Sequence, residues 1–420
     1  MTLRILIFLA IVFIIDLYVF QAVKLVTRAM PAQTVRTIII LYWSMTVYTF
    51  VFFLSGIFVD WHTWPKPIRT YGFAMAVVFL ISKLFVVLFL LIDDLTRFVR
   101  WGFANLYQHF WDPPVNAPVE GKIVIGRSDF LIKLGLFISA IPFVSLIYGM
   151  MKGAYDYQIK RKKIVLKNLP AAFNGFTFVQ ISDIHSGSFF STEPLQKAVE
   201  IINGLKPDAI FFTGDLVNDK SEEAVPHMET LRKLKAQHGV YSILGNHDYG
   251  DYVQWPSREA KVANLERLKN IHREMGWNIM LDEHTFLEKG NDKIGLIGIQ
   301  NWSSHLRFPK YGSMQKATAG MNYAPVNILL SHDPSHWRSE VLEKYPNVDL
   351  MLAGHTHGFQ FGVEIPGFKW SPVQYVYKEW ADLYYEGEKM LYVNRGLGFL
   401  GYPGRVGILP EITLVELASA

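Results

Sequence analysis

The 420-residue chain contains no cysteine, which excludes disulfides and thiolate metal ligands. The absence leaves the compartment open, because a cytosolic protein has no need of cysteine. Charge is scarce too: 19% of the residues are Asp, Glu, Lys or Arg, and the net charge is only +4. The basic residues form no stripe interleaved with aromatics, so nucleic acid is not an expected partner. Neither internal repeats nor low-complexity segments are evident. What dominates is apolar: half of the residues are hydrophobic, an unusual share for a soluble chain of this size.

That excess lies at the front. Apolar stretches occur near residues 3–26, 37–59, 71–92 and 130–151. Each is long enough to cross the roughly 30 Å hydrocarbon layer as a helix. The first is too long for a signal peptide, carries Asp16 and lacks a small-residue cleavage site, so it is read as retained. Tyr42, Trp43, Trp61, Trp64, Trp101 and Tyr148 fall where membrane borders are expected. Asp16 and Lys83 sit near mid-span, where charge is costly; a structural ion pair is favoured over a transport path. The segment 93–127, with Trp101, Trp111, Pro113 and Pro114, is read as an interfacial helix. Lys160-Arg161-Lys162-Lys163 follows the last stretch and points to the cytoplasmic face and to contact with anionic lipid.

The second half carries short polar motifs, each after a strand-like apolar run. They are Asp183-Ile184-His185, Gly214-Asp215, Gly245-Asn246-His247-Asp248, Ser331-His332 and Gly354-His355-Thr356-His357, and they use five of the thirteen histidines. Singly each is weak. Together they offer carboxylates, an amide oxygen and imidazoles at strand ends, a set suited to Mn, Fe, Zn or Ni. Two such ions can clamp a phosphate for in-line attack by water, and a central carboxylate can bridge them.

From about Leu169 onward the chain resembles the calcineurin-like metallophosphoesterase superfamily, within it the YkuE-like, membrane-associated branch. The stretches LPAAFNGFTFVQISDIHSG, GDLVND, GNHDY, LLSHDP, AGHTHGFQ and LYVNRGLGFLGYPGRVGILPEITLVEL carry the likeness. The resemblance implies two divalent ions, with Mn favoured. It assigns Asp183, His185 and His357 to the first ion, Asn246, His332 and His355 to the second, and Asp215 to both. His247 matches the non-ligand histidine that contacts phosphate and protonates the leaving group; Asp248 is expected to orient it and keep it charged, the alternative being a loop residue that hydrogen-bonds backbone. One departure is Phe359, where the family usually has Gly.

The expected architecture is an N-terminal all-α transmembrane domain of four helices plus an α/β domain of two packed mixed sheets flanked by helices. The expected divisions are 1–152, a basic linker 153–168, and 169–420. The function implied is membrane-anchored hydrolysis of a phosphate ester or pyrophosphate. A lipid-linked substrate, such as a nucleotide-linked lipid, is the candidate; the expected site is the bacterial inner membrane, with the enzyme domain cytoplasmic and membrane lipids as neighbours. The aromatic stretch from Phe359 to Trp380 is read either as an acyl-chain cleft or as ordinary packing. Two alternatives stay open: a tethered phosphatase or phosphodiesterase for soluble substrates, and a transport or signalling protein whose phosphoesterase-like domain is inactive.

Overall fold

The computed structural model describes residues 2–59, 64–110 and 128–420, so Trp61, Trp111, Pro113 and Pro114 lie outside the described residues. The chain divides into two units, Met1–Tyr148 and Gly149–Ala420.

In the first unit, α1 (Thr2–Thr27), α2 (Ala32–Phe58), α3 (Lys66–Phe110) and α4 (Asp129–Met151) are each long and apolar enough to cross a membrane. At most 28% of each apolar window is buried among neighbouring helices. Many apolar side chains of these helices are exposed, among them Ile7, Ile14, Val51, Leu88 and Phe137, which suits lipid better than water. The third helix is longer than its apolar run predicts: 93–110 continues it and forms no separate helix.

The charged pair expected at mid-span is present. Lys83 Nζ lies 2.6 Å from Asp16 Oδ1, with both side chains buried. Thr46 donates to Asp16 Oδ2 at 2.5 Å. Tyr42, placed at a membrane border from sequence, instead turns inward and donates to the Asp16 carbonyl at 2.7 Å. Removing one partner of such a pair leaves an uncompensated buried charge.

The second unit packs two six-stranded mixed sheets face to face. The first has the order β1 (Gln158–Leu166), β14 (Glu411–Ser419), β2 (Thr177–Ile181), β3 (Ala209–Phe212), β4 (Val240–Ser242), β5 (Asn278–Ile279). The second runs β12 (Asp382–Glu386), β13 (Lys389–Val393), β9 (Leu350–Ala353), β8 (Asn327–Leu330), β7 (Asp292–Gly298), β6 (Glu283–Lys289). A separate hairpin joins β10 (Val363–Ile365) to β11 (Phe368–Trp370). Strands β2 to β5 are mutually parallel, as are β7, β8, β9 and β13.

Period-two alternation explains the layers. Phe178 and Phe211 face the inter-sheet core with Ile328, Leu330, Leu350 and Leu352. Val179, Ile181, Ile210 and Phe212 face the other way, against α5 (Glu193–Gly204) and α7 (Arg258–Glu274), through Leu195, Ile202, Leu268 and Ile271. The single turn α6 (Met228–Leu231) joins that layer through Met228 and Leu231. Strands buried on both faces read as continuous apolar runs, and so AIFF, NILL and LMLA announced themselves.

One expectation needs correction. The basic linker is not a linker: residues 158–166 form β1, paired in parallel with β14 along its whole length. Alternation hides it, because polar Lys160 and Lys162 occupy one face while Ile159, Arg161, Lys163 and Val165 are exposed on the other. Lys160 pairs with Glu364 at 2.9 Å, Lys162 with Asp382 at 2.5 Å and Lys163 with Glu416 at 4.0 Å.

Candidate metal centre

The polar motifs follow the C-terminal ends of β2, β3, β4, β8 and β9, the edge at which open α/β sheets gather ligands. Ladder pairing continues into the loops: the amide of Asp183 donates to the Gly214 carbonyl at 2.9 Å, and that of Gly354 to the His332 carbonyl at 2.9 Å. The backbone there is strained. Asp183, His185, Asp215, His355 and His357 all have positive φ, between 49° and 71°. Such conformations cost of order 1–3 kcal/mol each and persist only where the surroundings over-determine them. Gly354 is required by close approach, since a Cβ there would strike Ser182 Oγ and the Asp183 carboxylate.

The loops bring the predicted groups into two buried clusters. In one, His185 Nε2 is 3.0 Å from His357 Nε2, which is 3.3 Å from Asp183 Oδ1. In the other, His332 Nε2 is 3.1 Å from Asp215 Oδ2, and His355 Nδ1 is 3.3 Å from His332 Nε2 and 2.8 Å from Asn246 Oδ1. Asp215 Oδ2 also lies 3.6 Å from His185 Nε2, which puts this carboxylate between the clusters. Ligand atoms of Asp183, His185 and His357, and likewise of Asp215, His332 and His355, fall within 4.8 Å of one another.

Groups behind the clusters set the orientation. His332 Nδ1 meets the Thr213 carbonyl at 2.7 Å, so Nδ1 carries hydrogen and Nε2 faces inward. His355 meets the Tyr377 hydroxyl at 2.8 Å and Asp333 at 3.5 Å through Nε2, which turns Nδ1 inward. Tyr252 accepts from the Asn246 amide at 2.9 Å, leaving the amide oxygen toward the cluster. Such partners fix ring orientation at metal sites.

Burial pushes His185 down to about 3, His355 down to about 4 and His357 further below the ordinary imidazole range. These rings are therefore neutral at pH 7 and offer lone pairs. Burial pushes Asp183 up to about 6. For Asp215 burial opposes ionisation, but His332 and then His247 hold it well below the ordinary carboxylate range. Burial likewise opposes a charge on His332, yet Asp215 raises it to about 10. Four imidazoles, three of them held neutral by burial, with two carboxylates and an amide oxygen, buried and converging, fit divalent ions.

His247 stands apart from the clusters. Its Nδ1 donates to the Asn218 carbonyl at 2.7 Å and its backbone amide donates to Asp215 Oδ1 at 2.8 Å, leaving Nε2 available. Asp248 does not orient it, contrary to the expectation. Its carboxylate instead accepts backbone amides of Asp215 and Gly245 at 2.9 Å, Leu216 at 2.8 Å and Val217 at 3.2 Å. Asp248 therefore fastens two of the loops that carry the clusters.

A cavity of about 550 Å³ opens on these groups, lined by Asp215, Asn246, His247, His355 and His357. Phe359 lines it too, with φ 58° and 62% of its surface exposed. The loop thus keeps the left-handed conformation suited to Gly, and Phe pays for it while placing a ring beside the site. Of the aromatic stretch, Tyr377 and Trp380 pack with Val373 and Ile408 in a small core, which is the ordinary-packing reading. Asp333, Tyr252 and Arg405 escaped sequence reasoning, as did the bond from Tyr377 to His355. Only Asp333, next to His332, had a local signal. Arg405 is buried behind Asp183 and His357, donating to the Gly398 and Gly396 carbonyls at 2.9 and 3.2 Å.

Comparison with known proteins adds two family matches. Residues 3–154 match the family described as "Probable Calcineurin-like phosphoesterase, transmembrane domain", and residues 176–359 match "Calcineurin-like phosphoesterase". The uncharacterized metallophosphoesterase YkuE of Bacillus subtilis is 31% identical over 65% of this chain and 90% of its own length. The uncharacterized metallophosphoesterase YkoQ of the same organism is 28% identical over 67% of this chain and 98% of its own. A transmembrane protein with metallophosphoesterase domain from Danio rerio is 31% identical over 68% of this chain; the match spans 62% of that relative's length.

Proposed function

This chain belongs to the calcineurin-like metallophosphoesterase family, in a form that adds four membrane helices, and we propose that it hydrolyses a phosphate ester or pyrophosphate bond of a lipid-linked substrate. In this reading Asp183, His185 and His357 hold one divalent ion, Asn246, His332 and His355 a second, and Asp215 both; manganese is the ion proposed. When bound, such ions supply Lewis acidity to a phosphoryl group and to the attacking water.

The protein's own groups do the rest. Burial keeps three imidazoles neutral and so ready to bind. The Asn218 carbonyl holds the His247 ring by Nδ1, so that Nε2–H can give a proton to the departing oxygen. The strained loops, stapled by Asp248, supply a site assembled in advance of substrate. The observation that carries the reading is the convergence of seven donor side chains from five strand ends on two clusters that flank Asp215.

A lipid-linked substrate is supported by the membrane helices and by Phe359 at the cavity. The cytoplasmic orientation proposed for the enzyme domain, in a bacterial inner membrane, rests on the basic run at 160–163. Its lysines are ion-paired in the folded unit, but the positive-inside rule acts on the chain during insertion, before those pairs exist.

Elemental analysis and turnover of the detergent-purified chain with Mn test the reading. About two ions per chain are expected, and Asp215→Asn should lose activity and at least one ion. A fully active Asp215→Asn protein, or no more than one ion in the parent, sinks it.

A further inference from the structure

The cavity lining is chemically mixed. Phe359, Val376 and Leu400 offer hydrocarbon, whereas His305 and Arg307 offer nitrogen. The latter pair lies on the segment that follows β7. Its base is tied: the amides of Tyr311 and Gly312 donate to the Asn301 carbonyl at 2.8 and 2.9 Å, and the Asn301 side chain donates to the Pro309 carbonyl at 3.0 Å. Its tip is tied as well. The Phe308 ring stands edge-on to His355 at 4.7 Å, and the His305 ring lies 4.7 Å from Tyr377.

Arg307 is thereby presented to the cavity from a segment anchored on both sides. Arg307 is an exposed residue whose guanidinium rests over the Phe308 ring at 5.2 Å. Among the described residues no carboxylate lies within ion-pair distance of it. Arg338 and Arg395, by contrast, are paired with Glu379 and Glu386, and with Glu411 and Glu364. A planar fork of unspent donors beside a phosphate-handling centre matches an anionic oxygen group bidentately.

We propose that Arg307 binds a second phosphate of the substrate, adjacent to the phosphorus attacked at the clusters. The substrate class is then a pyrophosphate-linked diester, with its apolar part toward Phe359, Val376 and Leu400. The proposal rests on the phosphohydrolase reading above and narrows it. Water adds to one phosphorus, the bridging P–O bond breaks, and the second phosphate leaves with the bridging oxygen. Two phosphate monoesters result and protons pass to solvent; nothing is oxidised or reduced.

The test compares methylenediphosphonate, which carries two phosphonate groups and resists hydrolysis, with orthophosphate. Both are used as inhibitors of bis-p-nitrophenyl phosphate turnover by the full-length protein with Mn in excess. Arg307→Gln should raise the inhibition constant of methylenediphosphonate roughly 10–100-fold, the worth of a charged hydrogen bond. That for orthophosphate should move far less, and Arg307→Lys should fall between. Chelation of free Mn is common to all three proteins, so only their differences count. Equal shifts for both inhibitors would place Arg307 on the attacked phosphoryl group and overturn the proposal, as would no shift in either. If the parent protein turns over no phosphate ester, the hydrolytic reading fails separately. Calorimetric binding of methylenediphosphonate then decides the Arg307 site: loss in Arg307→Gln supports it, and equal binding refutes it.

Discussion

His247 illustrates how a single ring can be placed beside a metal centre without joining it. Its Nδ1 is committed to the Asn218 carbonyl at 2.7 Å, and Nε2 is the remaining nitrogen. His247→Gln should therefore lower kcat by roughly 10²–10⁴, the usual worth of general acid–base catalysis. Metal content should stay at the parent level, and substrates with good leaving groups should suffer least. Loss of an ion in that variant would make His247 a ligand and end the proton-donor assignment. Asp248 serves backbone and not the His247 ring, for a physical reason. Adjacent residues in a turn point in different directions, and a buried carboxylate surrounded by free amides binds backbone. Asp248 takes four such amides.

At the scale of elements, α7 carries a buried titratable group away from the metal centre. His272 Nδ1 meets Ser242 Oγ at 2.9 Å, and burial, with Arg273 adding to it, lowers the ring from 6.5 to about 3. The folded protein therefore refuses a proton that the unfolded chain accepts. The stability this neutral ring supports is complete above about pH 6.5 and falls as pH drops toward 3, by roughly 1.4 kcal/mol per pH unit within that window. Thermal midpoints of the detergent-solubilised protein at pH 7 and pH 5 should differ more in the parent than in His272→Gln. Parallel profiles would show that His272 is not the group responsible.

The loop after β9 makes the second prediction at this scale. Phe359 keeps a left-handed φ of 58° and presents its ring to the cavity. Burying acyl chain contributes about 0.8 kcal/mol per CH₂, so four added methylenes should improve affinity by about two orders of magnitude. Phe359→Gly should flatten that dependence across a series with one head group. If the parent enzyme itself ignores chain length, the lipid-linked reading fails and the tethered enzyme for soluble substrates replaces it.

At the scale of the whole molecule, a four-helix membrane unit and an α/β unit share one chain. Four crossings put the segment before α1 and the segment after α4 on the same side of the membrane. Reporter fusions ahead of α1 and after Lys163 should therefore give the same signal, and the cytoplasmic one if the basic run at 160–163 sets orientation. Periplasmic signals from both would reverse the orientation and keep the four spans. Opposite signals would reject four crossings.

The sequence by itself determined the membrane helices, the α/β class and every side chain of the two clusters. Apolar runs are legible because strands buried on both faces need them, and the ligating residue types are legible because their chemistry has few substitutes. Only the tertiary structure decided what depends on neighbours distant along the chain. Residues 158–166 look like a charged linker until β14, some 250 residues away, pairs with them and Glu364, Asp382 and Glu416 neutralise their lysines. Tyr42 looks like a border aromatic until the Asp16 carbonyl, on another helix, accepts its hydroxyl. Tyr252 and Arg307 show nothing in their local sequence; one holds the Asn246 amide and the other faces the cavity because separate loops fold over the same strand ends. Hydrophobic periodicity is local and survives in one dimension, whereas charge pairing and the second layer of a site are made by contacts that only folding creates.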